Sequence, residues 1–239
     1  MTKNATVYLI PAFLDEEAME VLPHYLLAAV KACEVFFVEN ERSARRFLKK
    51  LWKEIEIDKY PWFVMHKSEE TVRQEFLKQL KLGKQIGLLS EAGCPGIADP
   101  GQLLVATAHQ AGAIVKPLVG PSSIILALMA SGMNGQQFQF NGYLPVGEQP
   151  RVRKIKDLEL LSQKQDSTQI FIETPYRNQV LLEALLKNCK PGTRLCVAVN
   201  LTGKNESVQT KTIEDWRKKA LSLEKEPAIF LIYAGGYGV

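Results

Sequence analysis

Short apolar runs, separated by amphipathic stretches, divide the first half of the chain. The runs are rich in Val, Ile, Phe and Trp, as strands are, and lie at Val7–Ile10, Val35–Val38, Trp62–His66, Ile86–Leu89 and Val115–Val119. Segments with the apolar period of a helix connect most of them. This alternation predicts an α/β fold, with a mostly parallel sheet covered by helices on both faces.

The pattern changes after Phe138, where strand-like runs are fewer and their connections longer. These runs lie at Gln139–Tyr143, Gln169–Ile172, Leu195–Asn200 and Ala228–Tyr233. They predict a second α/β domain with a mixed sheet. We place the boundary at Val119, which gives an N-terminal domain over 1–119 and a C-terminal domain over 120–239. No long Ser/Gly linker separates the two, so we expect them to pack closely.

Two segments dense in glycine, proline and small residues follow strand-like runs. The first, LSEAGCPGIADPG, ends at Gly101, and a helix is predicted from about Gln102. The second turns at Gly120 and Pro121, with Ser122 or Ser123 as N-cap of the next helix. Small residues at the carboxyl end of a strand let backbone groups approach a bound molecule. Two such turns predict one shared ligand pocket.

The first strand lacks the glycines of a dinucleotide-binding turn. The segment after it, IPAFLDEE, contains no glycine, whereas a GxGxxG turn would place three there. A classical Rossmann dehydrogenase or methyltransferase is therefore not indicated.

The composition is that of a globular protein with a sizeable core. The 239 residues are 46% hydrophobic and 23% charged. No apolar run approaches the roughly 20 residues that span a bilayer, and no basic region precedes an apolar stretch at the N-terminus. We expect a soluble cytoplasmic protein without membrane contact.

The four cysteines indicate neither disulfides nor a metal site. Cys33, Cys94, Cys189 and Cys196 form no CxxC pair and have no ligand spacing with the histidines. We interpret them as small core residues in a reducing compartment.

The net charge of +4 permits a nucleic-acid partner without demanding one. One basic cluster falls at helical spacing and comprises Arg42, Arg45, Arg46, Lys49 and Lys50. It fits a solvated helix face as well as a phosphate-binding surface. A second cluster follows the YLP motif, close to the predicted pocket, and comprises Arg151, Arg153, Lys154 and Lys156. That position favours contact with substrate phosphate.

Five motifs resemble one family of enzymes. SEAGCPGIADPG, VGPSS, ALMASGMN, FQFNGYLP and IFIETPYR are similar to SDAGTPxISDPG, PGPSA, ALxxSGLP, FxFxGFLP and IFYESPHR. The latter set occurs in the 16S ribosomal RNA (cytidine 2'-O)-methyltransferase branch of the tetrapyrrole methylase family. Order and spacing agree from about Val7 to the C-terminus. The resemblance implies two α/β domains, with S-adenosylmethionine (SAM) bound in a cleft between them.

The resemblance also implies which residues touch the cofactor and the substrate. Cofactor contacts are carried over to Pro11, Gly93, Cys94, Pro95, Ile97, Ala98, Ser122, Ser123, Glu173 and Leu201. Arg151 stands where the branch has an arginine, and we group it with Arg153 and Lys154 as substrate-binding residues. Methyl transfer from SAM mainly requires that donor and acceptor be held in line, with help for the departing proton. No metal is expected.

The segment after the first strand departs from the branch's TPIGNL, since Pro11 is matched but the glycine and asparagine are not, and two further motifs also depart. The branch's AEDTR reads VENER here, so that Glu39 and Arg42 are retained while Asn40 and Glu41 are changed. Its RELTK reads VNLTGK, ending at Lys204, so the Arg-Glu pair is missing. Glu39 is the candidate catalytic base or orienter, and Arg42 the catalytic residue that guides phosphate. The alternative is a structural ion pair.

The favoured function is ribose 2'-O-methylation of small-subunit ribosomal RNA. The RNA or the small ribosomal subunit is then the partner, and the family implies a homodimer. A SAM-dependent methylase of a tetrapyrrole or another small molecule is one alternative. A SAM-binding module without turnover is the other.

Overall fold

The computed structural model describes residues 5–65, 69–98, 100–219, 221–223 and 225–236. The chain forms two compact units, Met1–Ser122 and Ser123–Val239. Each has a five-stranded sheet and apolar core clusters of its own. The predicted α/β fold class is confirmed.

The N-terminal unit contains a fully parallel sheet in the order β3-β2-β4-β1-β5. Its strands are β1 (Thr6–Ile10), β2 (Val35–Val38), β3 (Trp62–Val64), β4 (Gln85–Leu89) and β5 (Ile114–Pro117). Its helices are α1 (Leu26–Ala32), α2 (Glu41–Leu51), α3 (Glu69–Lys81) and α4 (Gln102–Gln110), with single 3-10 turns at Met19–Val21 and Ile57–Lys59. All five predicted strands are present, although β3 ends at Val64 and His66 lies outside the described residues.

Side chains alternate between two cores along β2. Phe36 and Val38 pack in the cluster that contains residues of α1 and α2. Val35 and Phe37 pack in the cluster that contains residues of α3 and α4. The strand is buried on both faces, which explains its continuous apolar sequence. The prediction of helices on both faces is therefore confirmed.

The connections leave β1 and β4 in opposite directions. The two strands are parallel neighbours, with Ile10 opposite Leu89. From β1 the chain continues to β2, toward one edge of the sheet, and from β4 it continues to β5, at the opposite edge. Such a reversal opens a crevice at the carboxyl ends of the strands, where open α/β sheets bind ligands.

The C-terminal unit contains a mixed sheet in the order β6-β7-β10-β8-β9, in which only β6 and β7 are parallel. Its strands are β6 (Phe138–Tyr143), β7 (Thr168–Ile172), β8 (Arg194–Val199), β9 (Ser207–Thr212) and β10 (Ala228–Tyr233). Its helices are α5 (Ser123–Ser131), α6 (Glu148–Gln165), α7 (Asn178–Asn188) and α8 (Ile213–Lys218), with a 3-10 turn at Pro175–Arg177. The mixed sheet was predicted, but strand β9 was not. Its polar sequence, SVQTKT, belongs to a half-buried edge strand that, among the described strands, pairs with β8 alone.

Strand register brings three segments to one edge of this second sheet. Ile172, at the end of β7, lies opposite Ile229, and Val199, at the end of β8, lies opposite Ala228. The loops after β7 and β8 and the segment before β10 therefore meet at this edge.

Three of the four cysteines are buried free thiols, as predicted. Burial raises the pKa of Cys33 and of Cys189 to about 12 and that of Cys196 to about 11. Cys94 is half-buried. Over the described ranges, no group of three or more potential ligand side chains could hold a metal ion. None of the helices described is long and apolar enough to cross a membrane.

Candidate cofactor site

Loops from three strand ends touch one another in the N-terminal unit. The Ala12 N–H donates to the Gly93 carbonyl at 2.9 Å, which joins the loops after β1 and β4. A Cβ atom on Gly120 would lie 2.2 Å from the Cβ of Pro11. No side chain fits in that space, so glycine is required where the loop after β5 meets the loop after β1.

The Cys94 thiol joins the third pair of loops. Its Sγ lies 3.5 Å from the Pro121 carbonyl oxygen and 3.8 Å from that of Gly120, within reach of a weak S–H donor. Gly93 has φ +69°, a left-handed conformation that favours glycine. Pro11, Gly93 and Cys94 are thus brought together at the carboxyl ends of β1, β4 and β5.

The segment after Cys94 offers open backbone to a ligand. A Cβ atom on Gly96, where φ is +80°, would have no other atom within 4 Å. Ile97 is 50% exposed and Ala98 has a left-handed φ of 65°, whereas Pro95 is buried. Bare backbone beside an exposed apolar side chain suits a nucleoside cofactor, so the residues present fit SAM. Asp99 of the same motif lies outside the described residues.

The two serines occupy the turn that was predicted for them. Helix α5 begins at Ser123, which places Ser122 at the N-cap position. Both side chains are half-buried.

Glu39 reaches the ligand loop that follows β4. Its Oε2 accepts a hydrogen bond from the Glu91 N–H at 2.9 Å, and its own N–H donates to the Leu89 carbonyl at 3.1 Å. The carboxylate therefore orients the first residues of the SEAGCPG loop. Arg42 lies exposed in the first turn of α2.

The asparagine in VENER has a structural reason. Asn40 caps α2, where its Oδ1 accepts from the N–H groups of Arg42 at 3.0 Å and of Ser43 at 3.3 Å. Asparagine and aspartate cap helices about equally well. This departure from the branch motif therefore preserves the fold of the loop.

Most of the first basic cluster is neutralised within the unit. Arg46 and Lys50 pair with Glu16 at 2.7 and 3.2 Å, and Arg45 pairs with Glu41 at 2.8 Å. Hydrogen bonds from Lys50 and Arg46 hold the pKa of Glu16 below its usual range. These contacts favour the solvated helix face over a phosphate-binding surface.

In the C-terminal unit, the IETPYR segment closes on itself. The Glu173 side chain is 1% exposed, and its Oε1 accepts from the Thr174 N–H and from Arg177 Nη2, both at 2.6 Å. Leu201 is also buried, in a turn whose flanking residues Asn200 and Thr202 have left-handed φ values of 51° and 71°. Glu173 and Leu201 thus lie at the sheet edge described above, whereas Ser123, the third predicted cofactor residue of this unit, begins α5.

The three predicted substrate residues differ in exposure. Arg151 is 7% exposed and its Nη1 donates to the Val146 carbonyl at 3.1 Å. Arg153 is exposed and Lys154 is half-buried. On a helix, Arg151 and Arg153 project about 200° apart. One surface therefore cannot use all three, and their role stays a prediction.

The sequence of this chain matches a family model over residues 19–216. That family is described as Tetrapyrrole (Corrin/Porphyrin) Methylases. The chain belongs to this family. The family predicted from the motifs is confirmed, and its description is that of methylases.

Curated relatives match the chain over part of their length. It is 36% identical over 148 residues to the Vibrio cholerae protein named ribosomal RNA small subunit methyltransferase I, covering 62% of this chain and 50% of that one. It is 32% identical over 211 residues to the Bacillus subtilis protein of the same name, covering 87% and 68%. The matched regions thus span about half to two thirds of these relatives.

A solved structure shares the fold. The uroporphyrin-III C-methyltransferase of Thermus thermophilus, complexed with S-adenosylhomocysteine (SAH), has a TM-score of 0.56 and 16% identity. The match covers 95% of this chain and 97% of that one.

Sequence reasoning missed several residues that shape these loops. Gly120 was recognised with Pro121 as part of a turn, but no contact was assigned to it. Asn178 and Glu226 had no motif to mark them. A polar residue at the first position of α7 was the available signal for Asn178, which is fully buried.

Proposed function

We propose that this chain is a SAM-dependent methyltransferase that modifies a ribose 2'-oxygen of small-subunit ribosomal RNA, with the small ribosomal subunit as its partner. The observation that carries the proposal is the crevice in which Pro11, Gly93 and Gly120 join three ligand loops. The shared name of the relatives supports the choice of acceptor.

The protein's task in this reaction is to hold and orient the reactants. SAM supplies a methyl group on a sulfonium centre, which already has a good leaving group. The loop after β4 would hold the cofactor through Gly93, Cys94, Pro95, Ile97 and Ala98, and Pro11, Ser122 and Ser123 would complete that part of the site. Glu173 and Leu201 remain proposed cofactor contacts on the strength of the motif match.

Glu39 is the proposed general base or orienter. Its carboxylate is half-buried and contacts the loop that would bind the cofactor, through the Glu91 N–H. Arg42 is exposed in the next turn and is proposed to guide an RNA phosphate. Arg153 and Lys154 are proposed substrate contacts on α6, and Arg151 stays a proposed member of that set through its motif position.

The decisive experiment combines cofactor binding with location of the methyl group. The protein is incubated with labelled SAM and small ribosomal subunits, and mass spectrometry of nuclease digests locates the label. We expect one ribose-methylated nucleotide, and we expect transfer to survive EDTA. Labelling of a small molecule but not of RNA would overturn the acceptor. No SAM binding at millimolar concentration would overturn the function.

A glycine variant ties that result to the proposed site. Gly93→Arg places a bulky cation at a left-handed, buried position, and we expect it to abolish SAM binding by calorimetry. Gly192→Arg is the matched control, since its Cβ would meet nothing within 4 Å.

We also propose a cytoplasmic homodimer. The location follows from the ribosomal substrate. The dimer is supported by exposed apolar side chains of the C-terminal unit, at Ile125 and Met129 on α5 and at Phe138 and Tyr143 on the edge strand β6. Light scattering of the wild type should give twice the mass of one chain. The double variant Met129→Lys, Tyr143→Lys should give the mass of a single chain.

A further inference from the structure

Two asparagines from different loops converge on Glu226, just before β10. Asn178, at the start of α7, donates from Nδ2 to the Glu226 carbonyl at 2.6 Å. Asn200, after β8, donates from Nδ2 to the Glu226 carboxylate at 2.9 Å, and its N–H donates to the Pro227 carbonyl at 3.0 Å. These contacts fix the carboxylate at the sheet edge where Glu173 and Leu201 also lie.

Buried polar atoms at this edge lack partners. Asn178 is 0% exposed, yet its Oδ1 accepts no hydrogen bond within the part of the chain that the structure describes, and the same holds for the hydroxyl of Thr202. Every other buried side-chain nitrogen or oxygen found without a partner among those residues is an arginine Nε. Buried polar groups are normally hydrogen-bonded, so this pair indicates that the edge is completed by something that binds there.

The position of the carboxylate explains a departure from the branch motif. Where the branch has the glutamate of RELTK, this chain has Asn200, and the amide of Asn200 donates to Glu226. A carboxylate is thus present at the edge but comes from the segment before β10. Glu226 is half-buried, and its Oε2 makes no hydrogen bond or ion pair with any residue of the described ranges.

We propose that Glu226 is a ligand-binding carboxylate whose Oε2 accepts a hydrogen bond from a ribose hydroxyl, with Asn178 and Asn200 as its positioning residues. The ribose is that of the cofactor or that of the acceptor nucleotide. The proposal rests on the proposed function, because both ligands belong to it.

Binding of two probes to Glu226→Gln tests this assignment. Glutamine keeps the acceptor for Asn200 but loses the charge. For one of the two probes, we expect the dissociation constant to rise about tenfold, as for loss of a charge-assisted hydrogen bond. Weaker SAH binding assigns the cofactor ribose, and unchanged SAH binding with weaker binding of small ribosomal subunits assigns the acceptor ribose. The matched control is Glu183→Gln, an exposed α7 carboxylate that accepts from Gln179.

A swap tests whether the charge or the local structure matters. In the Glu226→Gln background, Asn200→Glu returns a carboxylate to the position where the branch has one. We expect it to restore most of the lost affinity. A swap variant that melts like the wild type but binds no better than Glu226→Gln would overturn the proposal.

The outcomes separate this proposal from the proposed function. Dissociation constants that change less than about twofold for both probes in Glu226→Gln would overturn the role of Glu226 alone. A wild type that binds both probes without transferring a methyl group would overturn the function but leave the carboxylate assignment to be judged by binding. A wild type that binds neither would overturn both.

Discussion

The two units hold their ligand loops by different means. In the N-terminal unit, the loops meet through backbone, at the Ala12–Gly93 bridge and where Gly120 packs on Pro11. In the C-terminal unit, side chains join the loops, through Asn178 and Asn200 with Glu226, while Glu173 with Arg177 closes its own loop. A crevice that requires glycine, at a position where no side chain fits, tolerates little substitution. Contacts made by side chains can be exchanged by substitution, as Asn200 illustrates, which stands where the branch has the glutamate of RELTK and donates to Glu226.

The largest effect is expected where backbone approaches backbone most closely. In Gly120→Ala the new methyl group would lie 2.2 Å from the Cβ of Pro11 and 2.4 Å from its Cγ, so the two loops must separate. We expect the free energy of unfolding to fall by about 3 kcal/mol, as for severe overpacking. Methyl transfer should fall by about 100-fold because the cofactor loops are displaced. Urea unfolding and a transfer assay with labelled SAM measure the two effects.

Gly192→Ala is the control for that variant. Its Cβ would meet nothing within 4 Å, so the free energy of unfolding should change by less than about 0.5 kcal/mol. If Gly120→Ala matched this control in both assays, the backbone contact would not be what shapes the crevice.

The N-terminal unit was the more predictable of the two. A strand buried on both faces, such as β2, is a continuous apolar run, and the glycines and prolines of SEAGCPG and VGPSS mark tight turns directly. Those signals are local, so they can be read from one segment at a time. The side-chain roles in the same unit were less evident, since Asn40, which caps α2, was visible in the sequence only as a departure from the branch motif.

The C-terminal unit was less predictable because its contacts join distant residues. Asn178 and Glu226 are 48 positions apart, and neither belongs to a pattern with a period. Strand β9 is polar because it lies at a sheet edge, so no apolar run in the sequence predicted it. Arg151 matched a motif, but its burial depends on how α6 packs, which the motif does not encode.

The next largest effect is expected at the ion pair of the C-terminal unit. Arg177→Met leaves the Glu173 carboxylate, 1% exposed, without its cation. Because Arg177 itself is 38% exposed, solvent screens part of the loss, and we expect about 2 kcal/mol of destabilisation. The double variant with Glu173→Gln should be more stable than Arg177→Met, since no buried charge is then left unpaired.

Lys218→Met serves as the exposed counterpart of that change. Lys218 pairs with Asp215 at 3.0 Å, but both side chains are more than half exposed, so no measurable change in the free energy of unfolding is expected. Equal effects of Arg177→Met and Lys218→Met in urea would mean that the burial of Glu173 has no energetic role.

Thiol labelling compares the accessibility of Cys94, in the crevice, with that of the buried cysteines of both units. Its effect on the fold is expected to be smaller. Burial raises the pKa of Cys33, Cys189 and Cys196 to about 12, 12 and 11, so at pH 8 the reactive thiolate of each is scarce. We expect a thiol reagent to modify Cys94 first, Cys94→Ser to remove that fast phase, and SAH to slow it. Fast labelling in Cys94→Ser would show that a core opens more readily than the crevice.

The smallest effect is expected on the surface of α6, where neighbouring basic residues differ in their exposure to solvent. If Arg153 and Lys154 contact RNA phosphates, replacing both by alanine should flatten the log–log salt dependence of RNA binding by about 1.4 units, at about 0.7 per contact. SAH affinity should not change. Arg151→Ala should cost about 1 kcal/mol of stability, because its hydrogen bond to Val146 is lost, and an unaltered slope in that variant would remove Arg151 from the proposed substrate residues. Lys187→Ala, an exposed cation on α7, controls for the general loss of charge. A slope that stays constant in the double variant would assign Arg153 and Lys154 to a solvated helix face, and the RNA acceptor would then rest on the family match alone.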